Sequence, residues 1–263
     1  MSDNMAIDNS RISSFDYPVQ LNEVSPDGRI RSSIIFNCLQ DAAGRDADRL
    51  GLGMHHLEEK NLIWVLSRIR VKMEKFPSHD DVIRVSTYHS GFDRLFAYRQ
   101  FHLASAVTGE LFGVAGSAWL SLNPANYRPV SPEKYFTALP RRDGEVEIYF
   151  QGDNLGKLRK PENIELSLPL THRISAAQID YNRHLNNAFY AFFTEDWLGE
   201  AATSLIRMRD IQLNFNSSTA FRDRLDCSGH CDTDGNFYVE GVQQSSGRNA
   251  FQARGVFEKI TFE

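Results

Sequence analysis

Two hydrophobic rhythms alternate along the chain, and they occur twice in the same order. From Ser32 to Leu50, apolar residues recur at three- and four-residue spacing (Ile35, Cys38, Leu39, Ala42, Ala43), which predicts a helix with one buried face. Gly51-Leu52-Gly53 supplies the stop. In Arg68-Ile69-Arg70-Val71-Lys72-Met73-Glu74 the period falls to two, as in a strand with one wet face. Val82–Tyr88, Leu95–Leu103 and Leu111–Leu122 read as further strands, punctuated by Pro77, Ser90-Gly91, Thr108-Gly109 and Asn123-Pro124. The first half is thus expected to be one helix followed by a meander of four strands.

Residues 126–163 carry Pro129, Pro132, Pro140 and Pro161 and read as a linker with some structure of its own, basic at Arg141, Arg142, Lys157, Arg159 and Lys160. Beyond it the first pattern returns. Asn186 to Leu205 predicts a helix apolar on nearly all sides, hence a buried one. Strands are expected at Ile211–Phe215, Leu225–Cys231, Phe237–Val242 and Ala250–Phe257, with Asp234-Gly235 as a hairpin turn. Val24–Ile30 aligns with Ile179–Leu185, setting Ser25 on Asp180 and Arg29 on His184 at an offset of 155 residues. Few letters agree, so the duplication rests on element order. The expected organisation is a frayed polar stretch 1–11, an N-terminal repeat 12–125, the linker 126–163 and a C-terminal repeat 164–263. The fold class is α+β: in each repeat a long central helix is wrapped by an antiparallel sheet, with the two sheets joined edge to edge.

Composition narrows the function classes. A length of 263 residues allows one or two domains, and 41% hydrophobic with 24% charged residues is ordinary globular usage. The formal net charge of −5 argues against a nucleic-acid footprint over the whole chain. Three cysteines make no disulfide framework and fit a reducing compartment. The N-terminus lacks the basic and apolar regions of a signal peptide, and no apolar run approaches the roughly 20 residues of a spanning helix. The expectation is a cytoplasmic protein without a membrane segment.

Chemistry concentrates in Asp180-Tyr181-Asn182-Arg183-His184-Leu185-Asn186-Asn187. In an extended loop, alternate residues face one way, so Asp180, Asn182 and His184 are expected to converge on one cavity. The amides around Asn186 and Asn187 open the following helix, where they can stabilise negative charge developing on a carbonyl oxygen. A carboxylate or imidazole beside them can activate water. Asp and Asn before a helix are also ordinary caps and turn formers, so spacing alone leaves both readings open. Cys227 and Cys231 hint at a metal knuckle, but on a strand they lie about 13 Å apart, too far to share one zinc. No metal or cofactor is expected. The chain has neither a Gly-rich phosphate loop nor a G-x-S-x-G elbow.

The segment Asp180-x-Asn182-x-His184-x-Asn186-Asn187-x-x-Tyr190 resembles the signature of hotdog-fold thioesterases. Over residues 15–258 the chain resembles more closely the acyl-acyl carrier protein (acyl-ACP) thioesterases of plants and their bacterial relatives. The likeness extends to Leu39-Gln40-Asp41-Ala42-Ala43, Trp64, Gly91-Phe92-Asp93-Arg94-Leu95-Phe96-Ala97-Tyr98-Arg99 and Ala118-Trp119. It implies a tandem double hotdog that hydrolyses a fatty acyl group from the phosphopantetheine arm of acyl carrier protein. It also implies Asp180, Asn182 and His184 as the catalytic set, with Asp180 the expected base and direct attack by its carboxylate the alternative. The family places a Glu and a Cys on the following strand; here Ser218 and Thr219 stand there, a departure that removes the carboxylate.

Further expectations follow. The first repeat carries Ser25, Asp27 and Arg29 at the motif positions, so it is expected to supply the acyl tunnel, bordered by Phe36, Leu39, Ala43 and Trp64. The linker's basic residues are candidates for docking an acidic carrier protein. A coenzyme A thioesterase and a non-catalytic acyl- or carrier-binding module are the competing readings. A tandem repeat permits a monomer, and exposed sheet edges permit a homodimer.

Overall fold

The computed structural model describes residues 12–135 and 147–261. The frayed stretch expected at 1–11, together with Arg141 and Arg142, lies outside the described residues.

Helix α1 (Ser32–Arg49) forms where the apolar spacing demands it and buries Ile35, Phe36, Cys38, Leu39, Ala42 and Ala43. Each large apolar side chain so buried contributes about 1.5–3 kcal/mol. A short helix α2 (Met54–Glu59) follows, then β2 (Ile63–Met73), β3 (Val82–Asp93), β4 (Phe96–Ser105) and β5 (Leu111–Leu122). In β2, Ile69, Val71 and Met73 are buried against the helices and alternate with Arg68, Arg70 and Lys72. A strand the sequence pattern did not announce, β1 (Ser13–Pro18), precedes α1. The linker holds β6 (Pro129–Val130) and α3 (Pro132–Tyr135). The second half repeats the first: β7 (Ser167–Arg173), α4 (Ala188–Ala202), β8 (Ile206–Phe215), β9 (Arg224–Cys231), β10 (Asn236–Gln243) and β11 (Asn249–Lys259).

All ten main strands form one antiparallel sheet in the order β1-β3-β4-β5-β2-β8-β11-β10-β9-β7, with β6 paired to β5. Read from its two ends, this order is the same path in each repeat. The repeats meet edge to edge at β2 and β8, from Arg68 opposite Asn214 to Lys72 opposite Asp210. Arg70 clamps this seam by donating Nε and Nη2 to the Asp210 carboxylate at 2.9 and 2.7 Å.

The four strands expected after α1 do not form a simple meander. β3, β4 and β5 are hairpin-linked, but β2 pairs with β5 and not with β3. The connection 74–81 is too long for a tight hairpin. It is held down by buried Phe76, whose carbonyl accepts a hydrogen bond from Arg29 Nη1 at 2.9 Å. β2 is thereby placed at the edge that β8 needs.

Between the repeats the chain has some structure of its own. Phe150 and Leu155 are buried against Tyr98 and Ala118. Gln100 Oε1 accepts from the Phe150 amide, Arg68 donates to the Leu155 carbonyl, and Gln212 donates to the Gly156 carbonyl. The chain therefore crosses the face of the sheet that carries Arg68 and Gln212, bridging both repeats. A Cβ on Gly116 would meet the Phe150 carbonyl oxygen at 2.7 Å, so the linker's approach requires glycine there.

Candidate active site

The duplication is legible in hydrogen bonds where it is faint in letters. At the same offset of 155 residues, 3₁₀ turns at Leu21–Glu23 and Ala176–Gln178 lead into β-bridges Val24–Ile30 and Ile179–Leu185. Each bridge closes a tight turn: the Ser25 amide donates to the Arg29 carbonyl at 2.8 Å, and the Asp180 amide to the His184 carbonyl at 2.9 Å. At the corner both backbones take positive φ, +74° at Gly28 and +64° at Arg183. Only in the first repeat is that residue glycine, for which the conformation is cheap.

The loop expected to be extended is therefore a closed turn. Asp180 and His184 come together across its bridge and not by strand alternation. His184 donates its amide to Asp180 Oδ1 at 3.3 Å. Both residues are half-buried, whereas Asn182 sits exposed at the tip. Leu185, buried, ties the base of the turn to the chain after β8 through its amide and the Thr219 carbonyl, 2.9 Å apart.

Beneath the turn lies a polar cluster that sequence reasoning missed. Tyr190 donates its hydroxyl to Thr219 Oγ1 at 3.0 Å, and Gln243 donates Nε2 to the Thr219 hydroxyl at 3.2 Å and to the Ser218 carbonyl at 2.8 Å. Burial, reinforced by the nearby Asp180 charge, pushes the Tyr190 phenol up to about 12 against the pull of its Thr219 bond. Tyr190 thus stays a neutral donor that fixes the turn on its support. Tyr190 closed the quoted motif without a role, and Gln243 carried no local signal. Thr219 is fully buried and serves this network, while Ser218 is exposed. Neither restores a carboxylate.

Helix α4 begins at Ala188, two residues later than expected, and Asn186, one residue before the N-cap Asn187, turns its side chain back on the first helical amide. Asn186 Oδ1 accepts the Ala188 amide at 3.0 Å. Asn187, at the N-cap position, lines an apolar pocket with Phe36, Leu39, Gln40, Leu66, Ile69, Phe101, Ser117, Trp119, Ala188 and Phe215. The cavity itself is about 10 Å³, room for about one water, so an acyl chain must part this lining to enter. A polar outer cleft, lined by Asn37, Gln40, Asp41, Gly44, Arg45, Asp48 and Asn186, lies beside it. Gln40 and the start of α4 border both.

Of the four expected tunnel residues, Phe36 and Leu39 line this pocket. Ala43 is one helical turn farther along and packs in the main core. Trp64 does not reach the pocket: it packs with Leu50, Leu52, Leu57 and Leu62 and donates Nε1 to the Leu52 carbonyl at 3.2 Å. The insertion of α2, which has no counterpart in the second repeat, draws it there. Lys157, Arg159 and Lys160 are exposed. The first repeat's motif positions are engaged structurally, Asp27 by Arg207 and Arg29 by the Phe76 carbonyl.

Two family descriptions match the chain in succession, the acyl-ACP thioesterase N-terminal domain over residues 12–138 and the acyl-ACP thioesterase C-terminal domain over 161–259. The palmitoyl-acyl carrier protein thioesterase of Gossypium hirsutum is 27% identical over 203 residues, covering 71% of this chain and 46% of the relative. The oleoyl-acyl carrier protein thioesterase 1 of Arabidopsis thaliana is 24% identical over 224 residues, covering 80% and 61%. Both are named as chloroplastic, and this chain spans about half the length of the curated relatives it matches. The fold is that of a solved acyl-ACP thioesterase from Bacteroides thetaiotaomicron, with a TM-score of 0.78 at 23% identity, covering 97% of this chain and 100% of the other. A 12:0-ACP thioesterase from Umbellularia californica gives 0.80 at 17%, covering 95% and 98%. Among the described residues no helix is long and apolar enough to cross a membrane. Two successive domain matches in the right order, on a sheet built from two like halves, establish that the chain belongs to the acyl-ACP thioesterase family.

Proposed function

We propose that the chain hydrolyses the thioester of a fatty acyl-ACP, releasing free fatty acid and ending chain elongation. The observation that carries this reading is the asymmetry of the repeats. The second-repeat turn holds Asp180 and His184 together just ahead of α4, and the start of α4, though neither of those two residues, borders an apolar pocket lined mostly by the first repeat. Water, deprotonated by Asp180, adds to the thioester carbonyl carbon. The carbonyl oxygen takes up negative charge toward the start of α4, the C–S bond breaks, and the phosphopantetheine sulfur leaves as a thiol with the proton returned to it. His184 orients the carbonyl and the proton, whereas Asn182, exposed at the tip of the turn, stays outside the reacting centre. The acyl chain enters between Phe36 and Leu39. A cytoplasmic, reducing setting fits the three free thiols of Cys38, Cys227 and Cys231.

Two outcomes test the substrate. Leu39→Ala should raise kcat/KM for the next longer acyl chain about tenfold relative to the present optimum, as a difference of one or two methylenes allows. Trp64→Phe should leave the profile where it is. An unchanged profile in Leu39→Ala would remove the tunnel from this pocket. We also propose that Lys157, Arg159 and Lys160 meet the acidic carrier. Their joint reversal to Glu should raise KM for carrier-bound substrate roughly 3–10-fold through slower encounter, with little change for the coenzyme A thioester. Equal changes on both would remove docking from this patch. The exposed Ser218, in place of a carboxylate, favours the competing reading of an acyl-carrier binding module. Tight binding without turnover would select that reading.

A further inference from the structure

Helices α1 and α4 pack together about the pseudo-twofold axis of the duplication, and one contact between them has a counterpart of opposite character. The Ser33 amide, in the first turn of α1, donates to Glu195 Oε2 of α4 at 3.1 Å. The offset of 155 residues that superposes the two bridges carries Ser33 onto Ala188 and Glu195 onto Gln40. The symmetry therefore points the Gln40 side chain of α1 at the first turn of α4. The cavities say the same independently, since Gln40 lines the apolar pocket with Asn187 and Ala188 and the outer cleft with Asn186.

The chemistry of the two residues differs in the sense the two repeats need. Glu195 lays its carboxyl on the Ser33 amide of α1, so the helix end that corresponds to the reaction site is already capped by a side-chain oxygen, even though burial pushes that carboxyl up. A carboxylate at the start of α4 would repel an oxyanion and compete with it for the same amides. Gln40 is neutral there and carries two N–H donors. We propose that Gln40, contributed by the first repeat, is a catalytic residue of the second repeat's site. Its amide donates to the thioester carbonyl oxygen and to the oxyanion that this oxygen becomes. This assignment rests on the thioesterase reading above. It makes the site a product of both repeats and gives the duplicated helix a chemical role as well as a tunnel wall.

The test pairs turnover with binding. Gln40→Met keeps length and removes the donors, and it should lower kcat on an acyl-ACP about 10²–10³-fold while KM moves less than about threefold. Glu195→Gln, at the mirror position, should leave kcat within about threefold, because it alters the unused helix end. Binding is measured with two stable acyl-carrier analogues, a ketone that keeps the carbonyl and an alkyl thioether that lacks it. Gln40→Met should weaken the ketone about tenfold and leave the thioether unchanged, a difference that a merely structural role does not produce. Equal weakening of both analogues, or undiminished kcat, would overturn the role of Gln40 while leaving the thioesterase reading standing. Failure of the unmutated protein to bind either analogue would overturn that reading and this assignment together.

Discussion

Asp180→Asn is expected to lower kcat on acyl-ACP by about 10²–10⁴-fold, the usual loss when a positioned base is removed, with KM nearly unchanged. The substitution is mild in structure. The turn is closed by the backbone pair from Asp180 to His184 and by the Ile179–Leu185 bridge, and an Asn oxygen can still accept the His184 amide. Its support, from Leu185 to the Thr219 carbonyl and from Tyr190 to the Thr219 hydroxyl, does not involve the carboxylate. A fall in activity without a change in melting temperature therefore reports chemistry. Activity within threefold of the unmutated protein would remove Asp180 from the reaction.

The second large effect is on stability, at a buried ionic cluster that fastens the helix carrying Phe36, Leu39 and Gln40. Asp46 of α1, 1% exposed, accepts from Ser13 Oγ of β1 and Arg99 Nη1 of β4, each at 2.5 Å, and from Arg49 Nη2 at 3.0 Å. Arg99 also donates to Thr87 Oγ1 at 3.1 Å. Burial alone would raise the Asp46 carboxyl, but the Arg99 charge and the donated hydrogen bonds hold it below the usual range. Asp46→Ala leaves Arg99, itself 8% exposed, without its counter-charge, and should cost about 3–5 kcal/mol in denaturant unfolding. A lowered carboxyl fixes the sign of the pH dependence. Its contribution is fully present above the unfolded value of about 3.9 and is lost as pH falls through the lower folded value. The stability gap between the unmutated protein and Asp46→Asn should therefore be flat from pH 8 to about 5 and shrink below about 4. A gap that widened on acidification would contradict the assigned direction.

Most of the architecture was legible because its signals are local. The period-two run around Ile69 and Val71 and the three-and-four spacing of α1 each mark a buried face, and Asp234-Gly235 gives the β9–β10 turn, with Gly235 at φ +83°. The edge strands β1 and β7 escaped for a physical reason. β1 has buried Ser13 at its start and only half-buried Phe15 and Tyr17, and β7 is interrupted by Pro169. The pairing of β2 with β5 and β8 depends on strands distant in sequence, which no window of alternation contains. At the site, Asp180, His184 and the α4 N-terminus stood out by residue type. The mode of their approach did not, since a positive φ at Arg183, a non-glycine residue, leaves no mark in the sequence. Tyr190, Thr219 and Gln243 assemble from three elements, and Gln40 reaches the site only through the packing of one repeat on the other.

The most direct measurement is the parallel release of free fatty acid and free phosphopantetheine thiol from a purified acyl-ACP, followed for the unmutated chain and for Asp180→Asn. Equal amounts of acid and thiol over many turnovers, abolished to background by the substitution, are the result this account predicts. Saturable binding of the acyl carrier with neither product appearing would contradict it and leave the fold serving as a binding module.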